Sequence, residues 1–209
     1  MSDDNASGEN MSDGNMNENN ASDENMSDDN ASGDIMNNVN TNNIKKKVSI
    51  YTDGSARNNP GPGGFGCVLE YVDSSGKLHK LEISGAYEET TNNRMELMGV
   101  IVALEALKVP SEVTLFTDSS YIVNAFNKDW IKGWKAKNWK NAQKKPVKNR
   151  DLWERLLRAT RMHSITWVWV KGHAGHPQNE RCDQLATRAA DTGPYEIDKV
   201  FENENRKLV

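Results

Sequence analysis

The stretch "KKVSIYTDGSARNNPGPGGFGCVLEYV", Lys46 to Val72, decides the fold. Its first part alternates apolar and polar residues and is β-branched, which predicts a strand ending at Asp53. The thirteen residues from Gly54 to Gly66 then hold five glycines and two prolines. "FGCVLEYV" resumes the alternation as a second strand. A strand that finishes on a carboxylate, and hands over to a loop with almost nothing to bury, puts that carboxylate at the rim of a sheet.

Working outward, "SSGK" is a tight turn and "LHKLEISGAY" a third strand, so the first three strands form an antiparallel meander. "TTNNRMELMGVIVALEALK" is a long apolar helix that closes before Pro110. "VTLFTD" is a short buried strand and "SSYIVNAF" opens a helix. A lysine-rich stretch runs from Lys128 to Arg150. "RDLWERLLRATRMH" is an amphipathic helix, "SITWVWVKGH" a strand, and "HPQNERCDQLATRAADTG" a helix with Pro177 near its start and Gly193 past its end. Three antiparallel strands followed by helix-linked ones predict an α/β fold: a mixed sheet with helices on its faces.

Composition divides the 209 residues. Residues 1–44 hold ten Asp or Glu and no Lys or Arg, so the net charge of −4 splits into −10 there and +6 over residues 45–209. "MSDDNASG" occurs at Met1 and again at Met26, and almost no bulky apolar residue precedes Ile35. Such a segment cannot offset the entropy of ordering its backbone and reads as a disordered acidic tail. It has neither the basic start and apolar stretch of a secretory signal nor the arginines of a mitochondrial presequence. Its five methionines are each an available start. The tail reads as a solvated spacer or as an acidic arm that competes with nucleic acid or recruits a basic partner. The foldable domain spans 45–193, with 194–209 as a flexible extension. No apolar run reaches the roughly 18 residues of a membrane span. Two cysteines, Cys67 and Cys182, make no disulfide framework and point to a reducing, cytoplasmic compartment.

Four acids stand out, and read singly each has a plainer account. Asp53 also suits an Asx turn. Asp118, at the end of the fourth strand, also suits a helix cap. Glu96 completes a capping box with Asn93, yet it lies among Met95, Leu97, Met98 and Ile101, where a buried charge needs a partner. Asp183 is also a solvated charge near a helix N-terminus. Taken together, "TDGS…NPGPGG", "TTNNRMEL", "FTDSSY" and "VKGHAGHPQNERCD" occur in this order with strand and helix between them. From Val48 to Ala190 the sequence resembles type 1 ribonuclease H.

That resemblance implies a five-stranded mixed sheet, three antiparallel strands plus two parallel, with helices on both faces. It implies cleavage of the RNA strand of an RNA–DNA hybrid, leaving 5′-phosphate and 3′-hydroxyl ends. Asp53, Glu96, Asp118 and Asp183 match the metal-binding carboxylates of the family, with Asp53 bridging two ions, Glu96 and Asp118 on one, and Asp183 on the other. Mg²⁺ suits such oxygen ligands, with Mn²⁺ as a substitute. Two ions about 4 Å apart serve the attacking and leaving oxygens. His173 matches a mobile histidine linked to proton transfer or product release, and His176 braces its loop. The glycines after Asp53 are read as letting backbone approach a bulky duplex.

Lys128 to Arg150 carries nine Lys or Arg against one acid, Asp129, with Trp130, Trp134 and Trp139 interleaved. Its plainer reading is a solvated helix with tryptophans packed on the core. The family carries here a basic protrusion that grips the DNA strand, which assigns Trp130, Lys132, Trp134, Lys135 and Lys137 to the hybrid and makes binding salt-dependent. Asn59 and Asn92 match readers of the 2′-hydroxyl, and Thr91 with Asn59 matches a DNA phosphate site. Ser120 departs from the family, where many relatives carry a longer amide, and one base or sugar contact weakens accordingly. Contacts to sugar and phosphate give no sequence readout, and the chain is expected to act as a monomer. Two other classes stay open at this point: a resolvase- or transposase-like metal nuclease of the same fold, and a hybrid-binding module without catalysis.

Overall fold

A computed structural model describes residues 45–206. The tail, and with it the reading of residues 1–44 as disordered, lies outside the described residues. The elements in chain order are β1 (Lys46–Ala56), β2 (Gly61–Val72), β3 (Leu78–Thr90), α1 (Asn92–Ala106), β4 (Ser111–Thr117), α2 (Ser120–Asn127), α3 (Trp130–Ala136), α4 (Arg150–Ala159), β5 (Ser164–Trp169), α5 (Pro177–Thr192), β6 (Tyr195–Glu196) and α6 (Lys199–Arg206).

The sheet order is β5-β4-β1-β2-β3-β6. β1, β2 and β3 pair antiparallel, while β4 runs parallel to β1 and β5 parallel to β4. The mixed sheet is as expected, but it has six strands rather than five. The sixth is the two-residue β6, parallel to β3 through Ala86 with Tyr195 and Tyr87 with Glu196.

Alternation in the strands assigns the two faces. Val48 and Ile50 of β1, with Cys67 and Leu69 of β2, join one core with Leu97, Val100, Ile101 and Leu104 of α1 and Leu152, Trp153 and Leu156 of α4. Tyr51 and Val68, one residue out of phase, join Cys182 of α5, with Phe116 and Leu185 packed against them. α1 is apolar around most of its surface because it is wedged between sheet and α4. Leu97→Ala there would cost about 2–5 kcal/mol.

The capping box expected from Asn93 does not form. Thr91 is the N-cap of α1, and its hydroxyl accepts from the Arg94 N–H at 3.4 Å. Nor does Asp118 cap α2, since Ser119 occupies that position and accepts from the Ile122 N–H.

The extension from residue 194, expected to be flexible, carries β6 and α6 instead. Its anchor is Asp198, only 6% exposed, which accepts from Arg94 Nε and Nη2. Arg94, 1% exposed, also donates to both carboxylate oxygens of Asp151 at the start of α4, at 3.0 and 2.7 Å. A buried guanidinium needs such a surround of acceptors, and here the second half of it arrives from the chain's C-terminal segment.

Candidate active site

Parallel strands bring their carboxyl ends to one rim of the sheet. Thr52 of β1 lies opposite Thr117 of β4, where their pairing stops, so Asp53 and Asp118 lie at the same level, although β1 runs on past Asp53 to Ala56, paired with β2, rather than ending there as expected. Asp53 also pairs with Gly66 of β2. Two close approaches complete the rim. A Cβ on Gly54 would fall 2.3 Å from the Glu96 backbone nitrogen, and one on Gly66 would fall 2.4 Å from the carbonyl oxygen of Cys182. Glycine is needed at both positions for α1 and α5 to reach the sheet. These two glycines thus serve helix packing rather than the expected approach of a duplex.

The electrostatics agree with that convergence. Asp53 is 9% exposed and its Oδ1 accepts the Gly54 N–H at 2.7 Å. Burial pushes its carboxyl up from 3.8 to about 7; the charge of Asp118 adds to this, and those of Asp183 and Glu96 add less. Burial likewise raises the Glu96 carboxyl, with Asp118 adding to it and a hydrogen bond from Ser119 opposing it. Asp118 is raised by burial, opposed among others by His173 and by the Asn179 amide. Desolvated carboxylates that repel one another are held protonated more tightly than free ones. Asp183 accepts from Thr187 Oγ1 at 3.3 Å. Among the described residues, no three His, Cys, Asp or Glu side chains are already gathered as a ready metal site.

His173 lies beside these acids. A Cβ on the preceding Gly172 would sit 2.6 Å from Asp118 Oδ2. The His173 side chain is 77% exposed, with Nδ1 4.0 Å from Asp183 Oδ2. Its φ of 51° is left-handed, an unusual conformation for a residue with a side chain. His176 occupies the N-cap position of α5, its ring tilted against Tyr51 and Phe116.

The other expected contacts fall on two flanks. Asn92 accepts the Ala56 N–H at 2.6 Å, and Asn59 accepts the Asn92 N–H at 3.1 Å, so the pair ties the loop after β1 to the start of α1. Neither amide nitrogen has a hydrogen-bond partner among the described residues. Ser120 is the exposed first residue of α2. On the far flank, α3 and the segments on either side of it carry eight exposed lysines from Lys128 to Lys148, none of which forms an ion pair among the described residues. The three tryptophans separate by burial. Trp139 is core, Trp134 packs against Tyr121, Trp139 and Trp153, and Trp130 is 37% exposed.

Sequence reasoning missed Ser119, whose hydroxyl donates to Glu96, Asn179, a buried amide that lowers the Asp118 carboxyl, and Trp169, whose indole N–H donates to the Asp118 carbonyl at 3.0 Å. Only Ser119 had a local signal, as a hydroxyl directly before a helix.

This arrangement, with acids on the carboxyl-end rim of a mixed sheet and a basic flank beside them, defines a nucleic-acid-processing hydrolase. The RNase H family model matches residues 45–191. A Ribonuclease H of Lachnoclostridium phytofermentans is 60% identical over 157 residues, covering 75% of this chain and 99% of its own. One from Salmonella arizonae is 56% identical over 159 residues, covering 76% and 98%. The crystal structure of LC9-RNase H1, a type 1 RNase H with the type 2 active-site motif, superposes with a TM-score of 0.65 at 35% identity, covering 70% of this chain and 73% of its own. That of LC11-RNase H1 in complex with RNA/DNA hybrid gives 0.51 at 30% identity, covering 69% and 96%. The chain belongs to the RNase H family. It is an endoribonuclease that hydrolyses the RNA strand of RNA–DNA hybrids.

Proposed function

We propose that this hydrolysis is carried out at Asp53, Glu96, Asp118 and Asp183 with Mg²⁺. The observation that carries the reading is the Asp53 carboxyl, buried within reach of the charges of Asp118, Asp183 and Glu96 and pushed up to about 7. A group so placed gains most from a cation, and the four side chains offer only hard oxygen donors, which fits Mg²⁺ or Mn²⁺. Asp53 would be shared by two ions, Glu96 and Asp118 would hold one, and Asp183 the other. Bound there, the ions would activate the attacking water and stabilise the leaving 3′-oxygen, which would leave 5′-phosphate and 3′-hydroxyl ends.

The protein's own groups do the rest. Ser119 orients Glu96, and the buried Asn179 amide favours the charged form of Asp118. His173, exposed and beside Asp183, carries a proton to or from the reacting phosphate or eases product departure. The unpaired lysines Lys132, Lys135 and Lys137, with Trp130, hold the DNA strand, and Asn59, Thr91, Asn92 and Ser120 meet the backbone and the 2′-hydroxyls. The LC11-RNase H1 structure is a complex with an RNA/DNA hybrid, and this chain takes the same duplex. It acts as a cytoplasmic monomer, in keeping with two buried free cysteines.

The test offers end-labelled hybrid, duplex DNA and duplex RNA in parallel, with and without Mg²⁺. Cleavage of the hybrid's RNA strand alone, only with the ion, is expected. Cutting of duplex DNA would place the chain with resolvase-like nucleases instead.

A further inference from the structure

Arg57 is the only Lys or Arg between Lys47 and Lys77. It directly follows β1, in the loop that carries Asn59, and its N–H donates to the Pro62 carbonyl at 2.7 Å. That bond ties the backbone at Arg57 across the loop. Its guanidinium forks onto Asp191 at the end of α5, Nε to Oδ1 at 2.7 Å and Nη2 to Oδ2 at 2.9 Å. Both side chains are near half in solvent, at 42% and 50%. The same guanidinium feels the charge of Asp183. An arginine therefore stands at the Asp183 side of the rim that carries the four acids.

That rim faces a difficulty: carboxylates repel the phosphates they must admit. A cation beside Asp183 offsets the repulsion where the RNA strand is cut. The guanidinium fork fits a phosphate as well as a carboxylate. Exposed ion pairs are weakly held, and trading one bidentate anion for another conserves the number of charge-assisted bonds. We propose that Arg57 is a substrate contact: it leaves Asp191 on hybrid binding and takes a backbone phosphate of the RNA strand next to the scissile bond, with Asp191 as its resting partner in the free enzyme. This rests on the hybrid-cleavage reading above.

The experiment uses the full-length chain and measures kcat and KM for labelled hybrid across a KCl series. Arg57→Gln raises KM several-fold, leaves kcat within about twofold, and flattens the plot of log kcat/KM against log salt by about 0.9, the worth of one neutralised phosphate. Arg57→Lys keeps the slope and recovers part of KM. Asp191→Asn lowers KM, because the resting partner is gone. An Arg57→Gln slope equal to the parent's would overturn the proposal. So would an Asp191→Asn KM that rises, since a brace between loop and α5 is damaged from either side. Asp191→Asn carries the test even where Arg57→Gln folds poorly. A parent chain that leaves hybrids uncut would instead overturn the cleavage reading itself.

Discussion

Gly66 lies against the carbonyl of Cys182, so close that a Cβ there would come within 2.4 Å of the oxygen. Gly66 is also the β2 partner of Asp53, and Cys182 immediately precedes Asp183. One missing side chain thus sets the separation between two acids that are 130 residues apart in sequence. Gly66→Ala meets backbone on α5, which has no flexible end to yield. It should destabilise by about 1–3 kcal/mol or more and reduce cleavage through the displaced Asp183. Urea denaturation checks the first effect, and a midpoint equal to the parent's would refute it.

The acid cluster makes the metal-free protein pH-sensitive. Unfolded, Asp53 loses its proton near its ordinary 3.8; folded, it keeps it until about 7. Between those values the folded state binds more protons, so stability falls as pH rises through this window. Asp53→Asn removes the penalty. In EDTA it should melt above the parent, by on the order of 5 °C at pH 8 and by clearly less at pH 5. Millimolar Mg²⁺ should raise the parent's melting temperature and barely move the variant's. Equal gaps at the two pH values would contradict this account of Asp53.

The C-terminal segment is structural through Arg94. Asp198→Ala leaves a guanidinium that is 1% exposed with Asp151 as its remaining carboxylate. Removing one partner of a buried pair costs about 3–5 kcal/mol, and the lower end applies while Asp151 stays. Ending the chain at Gly193 should cost at least as much. Chemical denaturation of both variants measures it, and losses below about 1 kcal/mol would mean that α6 is not anchored as described.

On the proposed reading, the basic flank divides into exposed lysines that bind and tryptophans that pack. Replacing Lys132, Lys135 and Lys137 by Gln should weaken hybrid binding, reduce the salt slope by about 0.9 for each phosphate no longer neutralised, and leave the melting temperature nearly unchanged. Trp134→Ala should cost about 3 kcal/mol of stability, because its ring packs on Tyr121, Trp139 and Trp153. Anisotropy titrations and melts on both variants separate the roles. A lowered melting temperature in the lysine variant would reverse the assignment.

What was legible in the sequence followed local rules. Val48 to Asp53 alternates, the run after Thr91 is uniformly apolar, and Pro177 and Gly193 bracket α5. The expectation that the four acids converge came from a resemblance, since singly each had a local alternative. Long-range matters were illegible. β6 is two residues long and stands because Asp198 meets Arg94 across 104 positions. The glycines looked like a loop because nothing in "GPGGFG" says that α5 will lie on it. Thr91 displaced Asn93 as cap because Asn92 already lies within α1, where it accepts the Ala56 N–H.

The most direct test is Asp53→Asn assayed on strand-labelled RNA–DNA hybrid in Mg²⁺, with binding followed in parallel. The account predicts hybrid affinity within a few-fold of the parent and RNA-strand cleavage reduced by at least about 10³. Cleavage at the parent's rate would show that the chemistry lies elsewhere on the molecule.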